Sequence, residues 1–73
     1  MKKKQIPSEV FGERLRQARL ASGLTQAAVA EKIRVDRTTY NKYEVGRVEP
    51  SLHTAYQLAV LLQVTLDELL RPE

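Results

Sequence analysis

Apolar residues recur along this chain at helical spacing and never alternate as a strand would. Phe11, Leu15 and Ala18 fall at i, i+4 and i+7, with Glu13, Arg16 and Gln17 turned to water. That stripe predicts a helix from Ser8 to about Ser22, opened by Pro7-Ser8 with Ser8 as cap and Glu9 at the positive end of its dipole. Gly23 supplies the left-handed residue that ends it, and Leu24 plugs the core. Val29, Ala30 and Ile33 predict a second helix over Gln26 to Ile33, capped by Thr25. Tyr40 and Tyr43, at i and i+3, predict a third from Arg37 to about Val45, with Asp36 as a ready N-cap and Gly46 at its end. Glu49-Pro50 closes a loop before Ser51 caps a fourth helix, whose apolar face is Leu52, Ala55, Leu58, Ala59 and Leu62. Thr65 and Glu68 form a capping box on a last short helix carrying Leu66, Leu69 and Leu70, which Pro72 terminates. The fold predicted is all-α, a compact five-helix bundle without an internal repeat.

The second and third helices are separated only by Arg34 and Val35 before the Asp36 cap. So short a gap forces a steep crossing rather than an antiparallel hairpin, and Ala30 is small enough to let the helices approach closely. This is a helix-turn-helix reading. Its second helix presents Arg37, Thr38, Asn41 and Lys42 outward, all able to reach base edges or phosphates. Arginine forks onto guanine O6 and N7, and Lys42 can do so less rigidly. Asn41 could pair with adenine, and Thr38 offers a hydroxyl or packs its methyl on thymine. The unpaired amides at the start of the preceding helix could dock a phosphate at Thr25 and Gln26.

Composition narrows the classes. Seventy-three residues make one small domain that buries only roughly 60% of its unfolded surface. Without cysteine there is neither a disulfide framework nor a thiolate metal site. The single histidine, His53, has no clustered carboxylates, so no metal and no cofactor are expected. No apolar run approaches a membrane span and no signal-peptide core follows the basic start. A cytoplasmic protein, associated with a bacterial or phage nucleoid, is the expectation. Charge is lopsided: residues 1–47 hold 11 of the 12 lysines and arginines against 5 acids, a balance of +6. Residues 48–73 carry a balance of −3. The basic half contains the two-helix unit, as expected if one face meets a polyanion, although an ordinary solvated surface has the same look. Residues 1–7, with Lys2, Lys3 and Lys4, read as a flexible basic arm, and residues 8–71 as the domain.

From Phe11 to Leu70 the sequence resembles the phage-repressor-type helix-turn-helix family, the group containing Cro and the XRE-like regulators. The likeness rests on Leu15-Arg16-Gln17-Ala18-Arg19, Gly23-Leu24-Thr25-Gln26, Ala30-Glu31-Lys32-Ile33, Tyr43-Glu44, Pro50-Ser51-Leu52, Leu58-Ala59 and Val64-Thr65-Leu66-Asp67-Glu68-Leu69-Leu70, in order and at matching separations. It implies a lambda-repressor-like domain that lays the third helix in the major groove. Gln26 matches a glutamine that contacts phosphate and can brace the recognition helix. Arg37, Thr38 and Lys42 fall where relatives touch base edges, with Asn41 and Thr39 nearer the backbone, and Arg47 in a loop that grips phosphate. Arg19 lies one position beyond its stripe, so it either pairs with a carboxylate or is solvated. The resemblance implies an ion pair with Glu44. Two positions depart from the family: Arg34 stands where the turn has glycine, and Tyr40 where an aliphatic residue is commoner.

Tyr40 and Tyr43 could instead be stacking platforms for single strands, but their shared inward face favours core packing. Tyr56, Val60 and Leu61 lie off the main stripe of their helix and suggest a dimer interface, unless they only cover a monomer's core. The function expected is a sequence-specific regulator of transcription: a homodimer on a pseudo-palindromic duplex operator, as in a phage switch, a restriction-modification controller or an antitoxin-like autorepressor. Nothing after Leu70 could form a sensing domain, so regulation would fall to concentration, turnover or a regulatory partner protein. The alternative is a protein-interaction module that keeps the fold without reading DNA. An enzyme is not expected: Ser51, His53 and Thr54 lie at a helix start with no base–nucleophile–acid arrangement.

Overall fold

In the computed structural model, which describes residues 8–71, the helices are α1 (Ser8–Ala21), α2 (Gln26–Ile33), α3 (Arg37–Val45), α4 (Leu52–Leu62) and α5 (Leu66–Leu70). No strand occurs among the described residues. The arm at Lys2, Lys3 and Lys4, the cap assigned to Ser8 and the stop at Pro72 lie outside the described residues and side chains.

Helix ends follow local chemistry. Thr25 accepts from the Ala28 amide and Ser51 from that of Thr54, while Thr65 and Glu68 complete a reciprocal capping box. The chain turns left-handed after α1 at Gly23 (φ 73°) and after α3 at Gly46 (φ 82°). It does the same at two residues that carry a Cβ, Arg34 (φ 64°) after α2 and Gln63 (φ 61°) after α4. Each stores roughly 1–2 kcal/mol relative to glycine. Arg34 thus keeps the left-handed turn that its departure from the family pattern put in question. Gln63 was not foreseen.

α1 packs on α3 and α5, α2 on α3 and α4, and α4 on α5. The core they enclose contains Phe11, Leu15, Val29, Ile33, Tyr40, Tyr43, Leu58, Leu62 and Leu69. The rings of Tyr40 and Tyr43 meet edge to face with centroids 6.2 Å apart, so both are core aromatics. Gly12 is the contact point of α1 with α3. A Cβ there would lie 2.7 Å from the Tyr43 carbonyl oxygen and closer still to that of Glu44. Glycine in mid-helix costs about 0.5–1 kcal/mol in propensity, and this contact is what it secures. On the opposite side, Arg14 donates from Nη1 to the carbonyls of Glu68 and Arg71, tying α1 to the end of α5.

α1 ends at Ala21, within a residue of the expected bound, where Ser22 and Gly23 form the turn. Two sequence expectations need correction. Asp36 has the extended backbone of an N-cap, but its carboxylate makes no capping hydrogen bond. Leu52 does not join the α4 core face: it is 76% exposed. At the first position of α4 it lies in register with Tyr56 and Val60, at i, i+4 and i+8, away from Ala55, Leu58 and Leu62. No helix among the described residues is long and apolar enough to cross a membrane.

Candidate nucleic-acid interface

The surface that α3 offers is set by a buried charge beneath it. Glu44, the penultimate residue of α3, is only 7% exposed. Its Oε2 accepts from Arg19 Nε at 2.6 Å and from the Tyr40 hydroxyl at 2.6 Å. Its Oε1 accepts from Arg19 Nη2 at 3.3 Å and from Gln26 Nε2 at 2.9 Å. Arg19 also donates from Nη1 to the Leu24 carbonyl at 3.0 Å, so one guanidinium joins α1, the loop after it and α3. A carboxylate taken out of water is costly unless its lone pairs are met, and here they are. Among the described residues no buried side-chain nitrogen or oxygen lacks a hydrogen-bond partner.

This arrangement holds Glu44 ionised. Burial pushes its carboxyl up, but the hydrogen bonds from Arg19, Tyr40 and Gln26 outweigh that and leave it below the usual carboxylate range. Burial, reinforced by the Glu44 hydrogen bond, pushes the Tyr40 phenol up, so the hydroxyl stays protonated and remains a donor. Hydrogen bonding to Glu44 likewise raises the Arg19 guanidinium, against a smaller loss from burial. The tyrosine that replaces an aliphatic residue has therefore gained a specific partner. That answers where its hydroxyl goes.

Gln26, the first residue of α2, carries the network to the surface. Its Nε2 donates to Asn41 Oδ1 at 2.9 Å as well as to Glu44, and its Oε1 accepts from Arg37 Nη1 at 3.4 Å. Arg37, Thr38 and Lys42 are exposed along the outer edge of α3, while Thr39 and Asn41 are half-buried. Thr25 is exposed at the start of α2, and Arg47 is exposed just beyond α3. Thus Thr25, Gln26, Arg37, Thr38, Asn41 and Lys42 share one polar face that begins at the positive end of α2. Both Gln26 amide hydrogens are engaged within the protein, so a phosphate at this point would meet the backbone amides or the Thr25 hydroxyl. Arg34, in the turn, is exposed as well. No group of three or more His, Cys, Asp or Glu suited to a metal ion occurs among the described residues.

Reasoning from sequence missed one support of this face and had the other only in kind, as the brace on the recognition helix that the resemblance implied for Gln26. Gly12 sets the distance between α1 and α3, and its only signal was a glycine inside an otherwise regular helix. The Gln26–Asn41 bond joins residues 15 apart, and no periodicity announces it. A second feature involves α4. Tyr56 and Val60 are each 59% exposed, and with Leu61, Ile33, Lys32, His53 and Gln57 they line a groove of about 380 Å³ between the end of α2 and α4.

The chain belongs to the phage-repressor-type helix-turn-helix family of DNA-binding domains: a family model described as helix-turn-helix matches residues 15–69. It is 40% identical over 62 residues to the SPbeta prophage-derived HTH-type transcriptional regulator YonR of Bacillus subtilis, covering 85% of this chain and 57% of that protein. Among solved structures it is similar to the restriction-modification controller protein C.AhdI from Aeromonas hydrophila, at 35% identity and a TM-score of 0.78, covering 85% of this chain and 94% of the other. It also resembles the P22 c2 repressor in complex with a synthetic operator, at 27% identity and a TM-score of 0.80, over 96% and 100% of the two chains. The chain spans about half the length of the first curated relatives it matches, 57% and 55% of two Bacillus subtilis regulators. These curated relatives are HTH-type transcriptional regulators.

Proposed function

We propose that this chain is the DNA-reading unit of a transcriptional regulator that binds a pseudo-palindromic duplex operator as a homodimer. The single observation that carries the reading is the exposed row of Arg37, Thr38 and Lys42 on α3, beside Thr25 and Gln26 at the start of α2. These are the residue types that reach base edges from a helix in the major groove, with phosphate held at the two flanks by Thr25 with Thr39 and by Arg47. The positive balance of residues 1–47 supports it. Arg37 reads a guanine, and Lys42 and Thr38 read its neighbours. The dimer face is the exposed stripe of Leu52, Tyr56 and Val60 with Leu61 behind it, which would set two recognition helices about 34 Å apart. Among relatives and neighbours are a prophage-derived regulator and a restriction-modification controller, and either role suits a chain of this kind.

Selection of bound duplexes from a random pool tests the reading. Two inverted half-sites are expected. Arg37→Ala should then lower affinity by about 1–3 kcal/mol and relax preference at one base pair per half-site. Arg47→Ala should weaken all sites alike and flatten the dependence on salt. Binding to no duplex at any salt would overturn the proposal and favour a protein-interaction module that keeps the fold.

A further inference from the structure

Hydrogen-bond polarity runs outward from the buried carboxylate in one direction only. Glu44 is ionised, so both of its oxygens accept and neither donates. Whatever faces Oε1 must therefore be a donor, which fixes the Gln26 amide with Nε2 inward and Oε1 toward Arg37. The oxygen and nitrogen of an amide are easily exchanged in assignment, but a carboxylate neighbour removes the choice. The second Nε2 hydrogen must then meet an acceptor on Asn41, and it meets Oδ1 at 2.9 Å. Asn41 is left with its carbonyl turned toward Gln26, one of its two lone pairs taken there, and both Nδ2 hydrogens uncommitted.

We propose that Asn41 is a specificity-determining donor whose amide orientation is set by Glu44 through Gln26, so that it selects a base edge rich in acceptors, guanine first. This inference rests on the DNA-reading role proposed above and goes beyond it in naming the edge. A free asparagine prefers adenine, because its carbonyl takes the N6 amino group while its amide donates to N7. The second lone pair of Oδ1 remains, but with the carbonyl turned toward Gln26 the Nδ2 hydrogens lead at the outward edge, and adenine N6 would confront them. Guanine offers N7 and O6 to those same hydrogens. Thymine offers O4 alone, and cytosine presents its N4 donor and is rejected. The adenine pairing that the residue type alone suggests is thereby replaced. Gln26 acts as a positioning residue, and Tyr40 with Arg19 supports it by filling the other acceptor sites of Glu44.

The test uses the full chain and the duplex recovered from random-pool selection, varied through all four base pairs at each position of one half-site. Asn41→Ala locates the position it reads, as the one where discrimination collapses. The native protein should there prefer guanine over adenine by at least about fivefold, the lower end of a well-formed bidentate contact. In Gln26→Ala the Asn41 amide is free to turn over, and the guanine-to-adenine ratio should fall to within about twofold. Any loss common to all four duplexes reflects the brace on Arg37 and cancels in that ratio. A native preference for adenine, a ratio unchanged in Gln26→Ala, or no position that responds to Asn41→Ala would each overturn the proposal while leaving the regulator reading intact. Failure to recover any preferred duplex would overturn that reading, and this one with it. Nitrogen-15 spectra of the free native protein give a second readout that needs no variant. The Gln26 side-chain amide protons should exchange slowly with solvent and those of Asn41 quickly, and the reverse order would overturn the assignment.

Discussion

The α1–α3 junction and the outer face of α4 are built on opposite terms. At the junction a charged pair and a phenol are buried and hydrogen-bonded to one another, a half-buried glutamine amide joins them to Asn41, and a glycine lets the backbones touch. On α4, Leu52, Tyr56 and Val60 stand in solvent although they are apolar. Burying a charge gains little net stability over an apolar core of the same shape, but it admits only one arrangement of donors and acceptors. Exposed apolar surface fixes no orientation and favours covering by a partner. The chain thus places its directional chemistry beneath the face that has to hold side chains in register. Its undirected surface lies on the side where the proposed second copy would be seated.

The largest expected effect breaks the junction. Glu44→Ala leaves the Arg19 guanidinium, 11% exposed at the side chain, without its partner, and should destabilise the fold by about 3–5 kcal/mol in chemical denaturation. A loss under 1 kcal/mol would mean that the pair is solvated. Gly12→Ala should cost about 1–3 kcal/mol, despite alanine's better helix propensity, because the new methyl meets backbone carbonyls. Arg34→Gly acts in the opposite sense. Relief of the left-handed strain, partly offset by a more flexible unfolded chain, should raise the melting temperature by about 3–6 °C, and a fall would contradict the turn geometry.

Acid gives a smaller and signed test of the same pair. The folded carboxyl of Glu44 titrates below its ordinary 4.5, so its contribution is present above that value and is lost as pH falls through the lowered folded one. The melting temperature of the native protein should therefore drop on going from about pH 5 to about pH 3, and more steeply than that of Glu44→Gln. Parallel slopes would place the acid sensitivity elsewhere. Tyr56→Lys, on the other side of the comparison, should change the stability of the isolated protomer by no more than about 0.5 kcal/mol. Its effect belongs in sedimentation, as a weaker dimer. If it unfolded the protomer, the α4 face would be core and not interface.

All five helices, their caps at Thr25, Ser51 and Thr65, and the inward faces of Tyr40 and Tyr43 were legible in the sequence. Caps and helical periodicity act within a few residues, and a pattern of that range can be read from a linear string. The row Arg37, Thr38 and Lys42 was legible for the same reason, being the polar remainder of a helix whose apolar positions are known. Leu52 was misassigned because spacing alone does not say how far the core extends past the first turn of a helix. What only the tertiary structure decided is the set of contacts between residues far apart in sequence. These are Gly12 against the carbonyls of α3, Arg14 against the end of α5, and the chain of donors from Glu44 through Gln26 to Asn41. A side chain's type states which hydrogen bonds it is capable of. Which of them remain for an outside partner depends on those the packed interior has already taken.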